Sequence, residues 1–190
     1  MRRLTRVIGV LLCVAALSAA AVAEKLSVHV YEVPTGDTIG VKVRRRPMKI
    51  HLWGVAAPVA GQPYAAQAKK LLSNLLLGKD VFVDVKSVLA GGDRVGKILL
   101  PRPPGPGAAG IAPPVDVGLE TVSAGSAWWN PTVAPGAKDL QSAQTSAKAA
   151  KKGLWVDPHP VAPWTYAKGH EKTTQPAGKS KKKSVAPRRG

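Results

Sequence analysis

The chain has 190 residues, 45% of them hydrophobic, so it holds enough apolar material for a core and cannot be disordered throughout. Its 28 lysines and arginines against 11 acidic residues give a formal charge of +17, a balance that points toward polyanions such as nucleic acid, anionic lipid or acidic envelope polymer. A single cysteine, Cys13, excludes a disulfide framework and any zinc site built on paired thiolates.

The N-terminus reads as an export signal over residues 1–23: Arg2, Arg3 and Arg6 form a basic start, Val7 to Ala20 is almost continuously apolar, and Ala21-Val22-Ala23 is a small-residue cleavage site. Cleavage would leave 167 residues with a charge of +14, no stable membrane span, and a monomer exported to the periplasm or secreted. Leu26, Val28 and Val30 then alternate with polar neighbours as a half-buried strand, which places His29 on the opposite face. Pro34 to Asp37 is a turn, Ile39, Val41 and Val43 mark a second strand, Arg44 to Pro47 a second turn, and Met48, Ile50 and Leu52 a third strand. Gln62 to Leu77 changes to helical period, with Ala65, Ala68, Leu72, Leu75 and Leu76 on one stripe and Gly78 at its end.

Val81, Val83 and Val85 predict a fourth strand and Val95 to Leu100 a fifth. The Pro/Gly-rich stretch 101–114 can be neither helix nor interior strand, so it is expected as an excursion loop. Val117 to Trp128 reads as a short helix, and Ala137 to Lys152 as another, with Leu140, Ala143 and Ala147 on its apolar stripe. Residues 169–190 carry seven basic residues against Glu171 alone, and a segment so poor in apolar residues is expected to be disordered. The folded domain thus spans 24–168 and keeps a charge of +8. The expected class is mainly β with helices: a five-stranded OB-fold barrel, its strands in all-antiparallel order, plus about three α-helices.

Several stretches together carry a resemblance. Gly36-Asp37-Thr38-Ile39, Ile50 to Pro58, Gln62-Pro63-Tyr64 opening a helix, Leu76-Leu77-Gly78-Lys79, Asp93 to Lys97, Val122 to Trp128, Ala149 to Trp155 and Asp157 to Trp164 occur in the order and spacing of the secreted staphylococcal nuclease-like (thermonuclease) family, which this sequence resembles over about residues 28 to 168. The resemblance implies the same five-stranded barrel with three helices. It also implies calcium-dependent hydrolysis of nucleic-acid phosphodiesters: carboxylates hold the cation, a glutamate serves the attacking water, and two arginines clamp the phosphate.

The family's signatures are D-G-D-T, R-L-x-G-x-D-A-P-E and D-x-Y-G-R, and this chain departs from each. Thr35 stands for the first aspartate while Asp37 and Thr38 are kept; His51 stands for the arginine, Ala56 for the metal-binding aspartate and Val59 for the catalytic glutamate, with Ala57 between them; Val95 and Lys97 replace the tyrosine and second arginine. Asp37 alone cannot assemble a six- to eight-oxygen calcium shell, and valine cannot accept a proton. The expectation is therefore a catalytically degenerate member needing no cofactor, with calcium required only if nuclease activity survives. Its candidate polyanion contacts are Arg44, Arg45, Arg46, Lys97, Lys181, Lys182, Lys183, Arg188 and Arg189. Two alternatives stay open: an enzyme rebuilt around Asp37, His51, Asp93 and Lys97, and an envelope scaffold whose contact element is the proline-rich loop.

Overall fold

A computed structural model describes residues 25–103 and 112–171. The export segment, the inner part of the proline-rich loop and the tail cations Lys181, Lys182, Lys183, Arg188 and Arg189 lie outside the described residues. The chain runs β1 (Lys25–Thr35), β2 (Thr38–Val43), β3 (Arg46–Leu52), β4 (Val55–Ala56), α1 (Ala65–Leu76), β5 (Asp80–Val88), β6 (Arg94–Leu100), β7 (Val115–Asp116), α2 (Val117–Ser123), β8 (Trp128–Trp129), α3 (Lys138–Ala149), a 3-10 turn at Gly153–Val156, and α4 (Pro163–Glu171). No helix among the described residues is long and apolar enough to cross a membrane.

The five long strands pair in the order β3-β2-β1-β5-β6, and β6 also pairs with β3, closing a barrel. The all-antiparallel order expected from sequence is corrected here: Ile50, His51 and Leu52 of β3 pair in parallel with Arg94, Val95 and Gly96 of β6. The reason is parity, because a closed ring with an odd number of strands cannot alternate direction all the way round. The alternating residues meet inside as expected. Val30, Ile39, Val41, Ile50 and Ile98 are fully buried, and Leu72 and Leu76 of α1 join them in one core.

The predicted helix starting at Gln62 begins instead at Ala65, since Tyr64 takes a left-handed φ of 66° and breaks the helical run. The helix predicted to reach Trp128 stops at Ser123. Gly125 (φ 67°) turns the chain against Lys152, and Trp128 then lies on β8, paired with Ala56 of β4. The second turn is also tighter than expected. Arg44 and Arg45, both at positive φ, form a two-residue turn closed by the Val43 and Arg46 pair, and Arg46 and Pro47 already belong to β3. A fourth helix, α4, extends past the expected domain limit at Lys168 into the segment read as tail. Pro163 opens it, a position where the missing N–H leaves no helical bond unmade.

Candidate functional site

At one end of the β2–β3 ladder, the β1–β2 turn holds Asp37 beside Thr38, and Thr38 pairs with His51 across the ladder. The Asp37 carboxylate is engaged at both oxygens. Its Oδ1 accepts from the Thr35 hydroxyl (2.7 Å) and the Thr38 hydroxyl (3.0 Å), and its Oδ2 accepts from the Ala57 N–H (2.9 Å). Thr38 and Ala57 are almost fully buried, so their bonds to Asp37 are partly shielded from water, whereas Thr35 is exposed. Gly36 makes the arrangement possible: a Cβ there would collide with the Cβ atoms of Ala68 on α1 (2.6 Å) and Ala57 (2.9 Å).

Thr38 Oγ1 also lies 3.0 Å from His51 Nδ1. A hydroxyl has one proton, and an ionised carboxylate can only accept, so Thr38 donates to Asp37 and accepts from His51 Nδ1–H. That assigns the proton of a neutral His51 to Nδ1 and leaves Nε2 as the free acceptor. The parallel neighbour of His51 on β6 is Val95, which offers no polar partner.

The remaining sequence-predicted positions divide. Ala57 reaches the site through its backbone. Ala56 is held in the β4–β8 pair, and Val59 is 38% exposed, with its N–H bonded to Gln62 Oε1 (2.9 Å). Gln62 in turn donates to the Val161 carbonyl (2.9 Å), and Tyr166 donates to the Gly61 carbonyl (3.1 Å), so the segment leading into α4 and α4 itself strap the loop that carries Val59. Asp93 is occupied elsewhere, accepting from the Lys49 N–H (2.9 Å).

Lys97 differs most from expectation. It is expected as a phosphate contact, but its ammonium lies 2.8 Å from Asp116 and 3.8 Å from Asp139. The hydrogen bond to Asp116 holds it above the ordinary lysine value, against a burial that pulls it down, and the charges of Asp116, Asp139 and Asp84 add to the rise. Two carboxylates therefore meet the one cation. Asp116 could have been found from sequence as the residue before α2, where it caps the Gly118 and Leu119 N–H groups. Asp139 left no such signal.

Arg44, Arg45 and Arg46 are exposed at the opposite end of the same ladder, five residue pairs from Thr38 and His51. At the usual rise per residue this is roughly 17 Å, so the basic turn and the Asp37–His51 constellation are separate features. Among the described residues, none of the three arginines has a carboxylate within ion-pair distance, and no group of three or more His, Cys, Asp or Glu side chains is placed to hold a metal ion.

The sequence of this barrel is similar to that of known proteins. A family model described as staphylococcal nuclease homologue matches residues 49–157, more than half of the chain, from β3 through the 3-10 turn. A protein named ParB from Escherichia coli is 28% identical over 144 residues, covering 73% of this chain and 77% of its own. A micrococcal nuclease from Shigella flexneri is 28% identical over 148 residues (77% and 83%), and an uncharacterized endonuclease from Escherichia coli is 31% identical over 142 residues (73% and 82%). The closed five-stranded barrel and the extent of these matches lead to one conclusion: the chain belongs to the staphylococcal nuclease homologue family.

Proposed function

We propose that this is an exported family member that binds nucleic acid or a related polyanion through its basic surface and does not cleave it. The observation that carries the reading is the state of Asp37. Its two oxygens already accept three protein hydrogen bonds, and the neighbouring positions supply Ala56 and Val59 where a metal ligand and a general base would be needed. Calcium, which family membership implies, does not fit this donor set: it requires six to eight oxygens, and one engaged carboxylate beside threonine hydroxyls falls far short. Loss of a general base removes roughly 10²–10⁴ of rate. Loss of a charge-stabilising donor removes about 10²–10³ more, although such factors do not simply multiply. At the arginine positions, His51 is bonded to Thr38 and Lys97 is neutralised by Asp116 and Asp139.

Binding survives what catalysis does not, because attraction to phosphates needs only charge. The turn residues Arg44, Arg45 and Arg46, flanked by Lys42 and Lys49, form a run of exposed cations on one hairpin, and the names of the relatives tie this barrel to nucleic acid. Tail cations Lys181, Lys182, Lys183, Arg188 and Arg189 add further positive charge. A second reading, residual hydrolysis, is favoured by the Thr38–His51 bond, which leaves Nε2 able to accept a proton from water.

One experiment separates the two. Purified protein is incubated with single-stranded DNA and RNA, with calcium or with chelator, beside an active nuclease of the family, and binding is titrated against salt. The expected result is retained binding that weakens with salt and no cleavage in either condition. Cleavage that disappears in His51→Ala or Asp37→Ala establishes the enzyme reading instead, and failure to bind at low salt removes the polyanion reading.

A further inference from the structure

Beside Trp128 of β8, the C-terminal end of α3 and the segment after it enclose a groove of about 430 Å³, lined by Trp128, Lys148, Lys151, Trp155, Pro158 and Pro160. The two indoles meet edge to face, with ring centroids 5.7 Å apart. Lys148 Nζ sits 4.5 Å from the centre of the Trp155 ring, over its face. Neither lysine has a carboxylate within ion-pair distance among the described residues. Asp157, the acidic residue on the lining, has its Oδ1 occupied by the His159 N–H at 2.8 Å.

Trp155 is nearly buried, yet its Nε1–H has no hydrogen-bond partner among the described residues, an exception to the rule that buried donors are paired. Lys151 holds a left-handed backbone, φ 47°, as the residue that ends α3 in a Schellman cap, with the Lys152 N–H donating to the Ala147 carbonyl (3.0 Å). Cations without a carboxylate partner and aromatic rings in one concave place match single-stranded nucleic acid: phosphates for the lysines and a base for the ring face.

We propose that this Trp155–Lys148–Lys151 groove is a binding site for single-stranded nucleic acid, separate from the Asp37–His51 end of the barrel. The Lys148 ammonium leaves the Trp155 face for a phosphate, Lys151 takes a second phosphate, and a base replaces the ammonium over the ring. The inference rests on the polyanion-binding reading and gives it an address.

The test uses the full chain with labelled tryptophan indoles, assigned by NMR, titrated with oligothymidylate, together with salt-dependent anisotropy of the labelled oligonucleotide. The Trp155 and Trp128 indole resonances are expected to shift saturably. Lys148→Ala with Lys151→Ala should weaken binding and lower the salt slope by about 1.4, two single-strand phosphate contacts at roughly 0.7 each. If the oligonucleotide binds while Trp155 stays unmoved, or the slope is unchanged in the double lysine variant, the groove is not the site and the polyanion reading stands without it. If the full chain fails to bind at low salt, both fall.

Discussion

Replacing Asp37 by alanine tests whether this carboxylate holds the fold together or belongs to a cluster built for a cation. In a multi-carboxylate metal site without its ion, deleting one acid relieves repulsion between like charges and tends to stabilise the protein. Here the expected sign is opposite. The Ala57 N–H is buried and has Asp37 Oδ2 as its acceptor, so leaving it unpaired costs about 1–3 kcal/mol. The Thr38 hydroxyl is also buried but can turn toward His51 if the imidazole moves its proton to Nε2, which limits its share to about 1 kcal/mol. The exposed Thr35 hydroxyl finds water and adds little.

The sum is a loss of about 2–4 kcal/mol, which for a domain of this size lowers Tm by roughly 5–15 °C. Asp37→Asn keeps a carbonyl for the Ala57 N–H and lets both hydroxyls rotate to accept from its amide. It should therefore lose only charge assistance, about 1 kcal/mol. Urea unfolding followed by far-UV circular dichroism, with the slope m compared across variants, measures both. Stability of Asp37→Ala within about 0.5 kcal/mol of the parent, or a loss in Asp37→Asn as large as in Asp37→Ala, would refute the reasoning.

Lys97→Met should destabilise the protein at neutral pH by leaving Asp116 and Asp139 without their shared cation, and the pH dependence follows from the raised lysine value. A cation whose folded value is raised contributes fully below its unfolded value, about 10.4, and loses that contribution as pH climbs through the higher folded value. The gap in urea midpoint between parent and variant should therefore stay constant from about pH 6 to 9 and close only in the alkaline range above about 10.4. A gap that closes near neutrality would contradict the ion-pair assignment. Arg44→Asn with Arg45→Gly should raise stability by about 1–2 kcal/mol, because both positions take positive φ and this residue pair suits such a turn. The same change should reduce salt-dependent binding of single-stranded DNA, and a fall in thermal midpoint would disprove the turn argument.

What the residue order determined by itself was local. Alternating valines and isoleucines mark β1, β2, β3, β5 and β6, and the Ala68, Leu72 and Leu76 stripe marks α1, because each periodicity reports which side of an element is buried. The losses at Ala56 and Val59 are equally legible, since replacing a carboxylate by alanine or valine removes chemistry in any surroundings. Pairings between distant segments were not legible. The parallel β3–β6 closure follows from the number of strands in the ring, and neither strand carries a local trace of it. Lys97 reads as a free cation until β7 and α3 bring Asp116 and Asp139 beside it. Trp128 and Trp155, 27 positions apart, become one groove wall only when Gly125 lets the chain turn against Lys152. Periodicity describes a segment's own faces, whereas the charge and accessibility of a side chain depend on which other segment arrives next to it, and only the tertiary structure decides that.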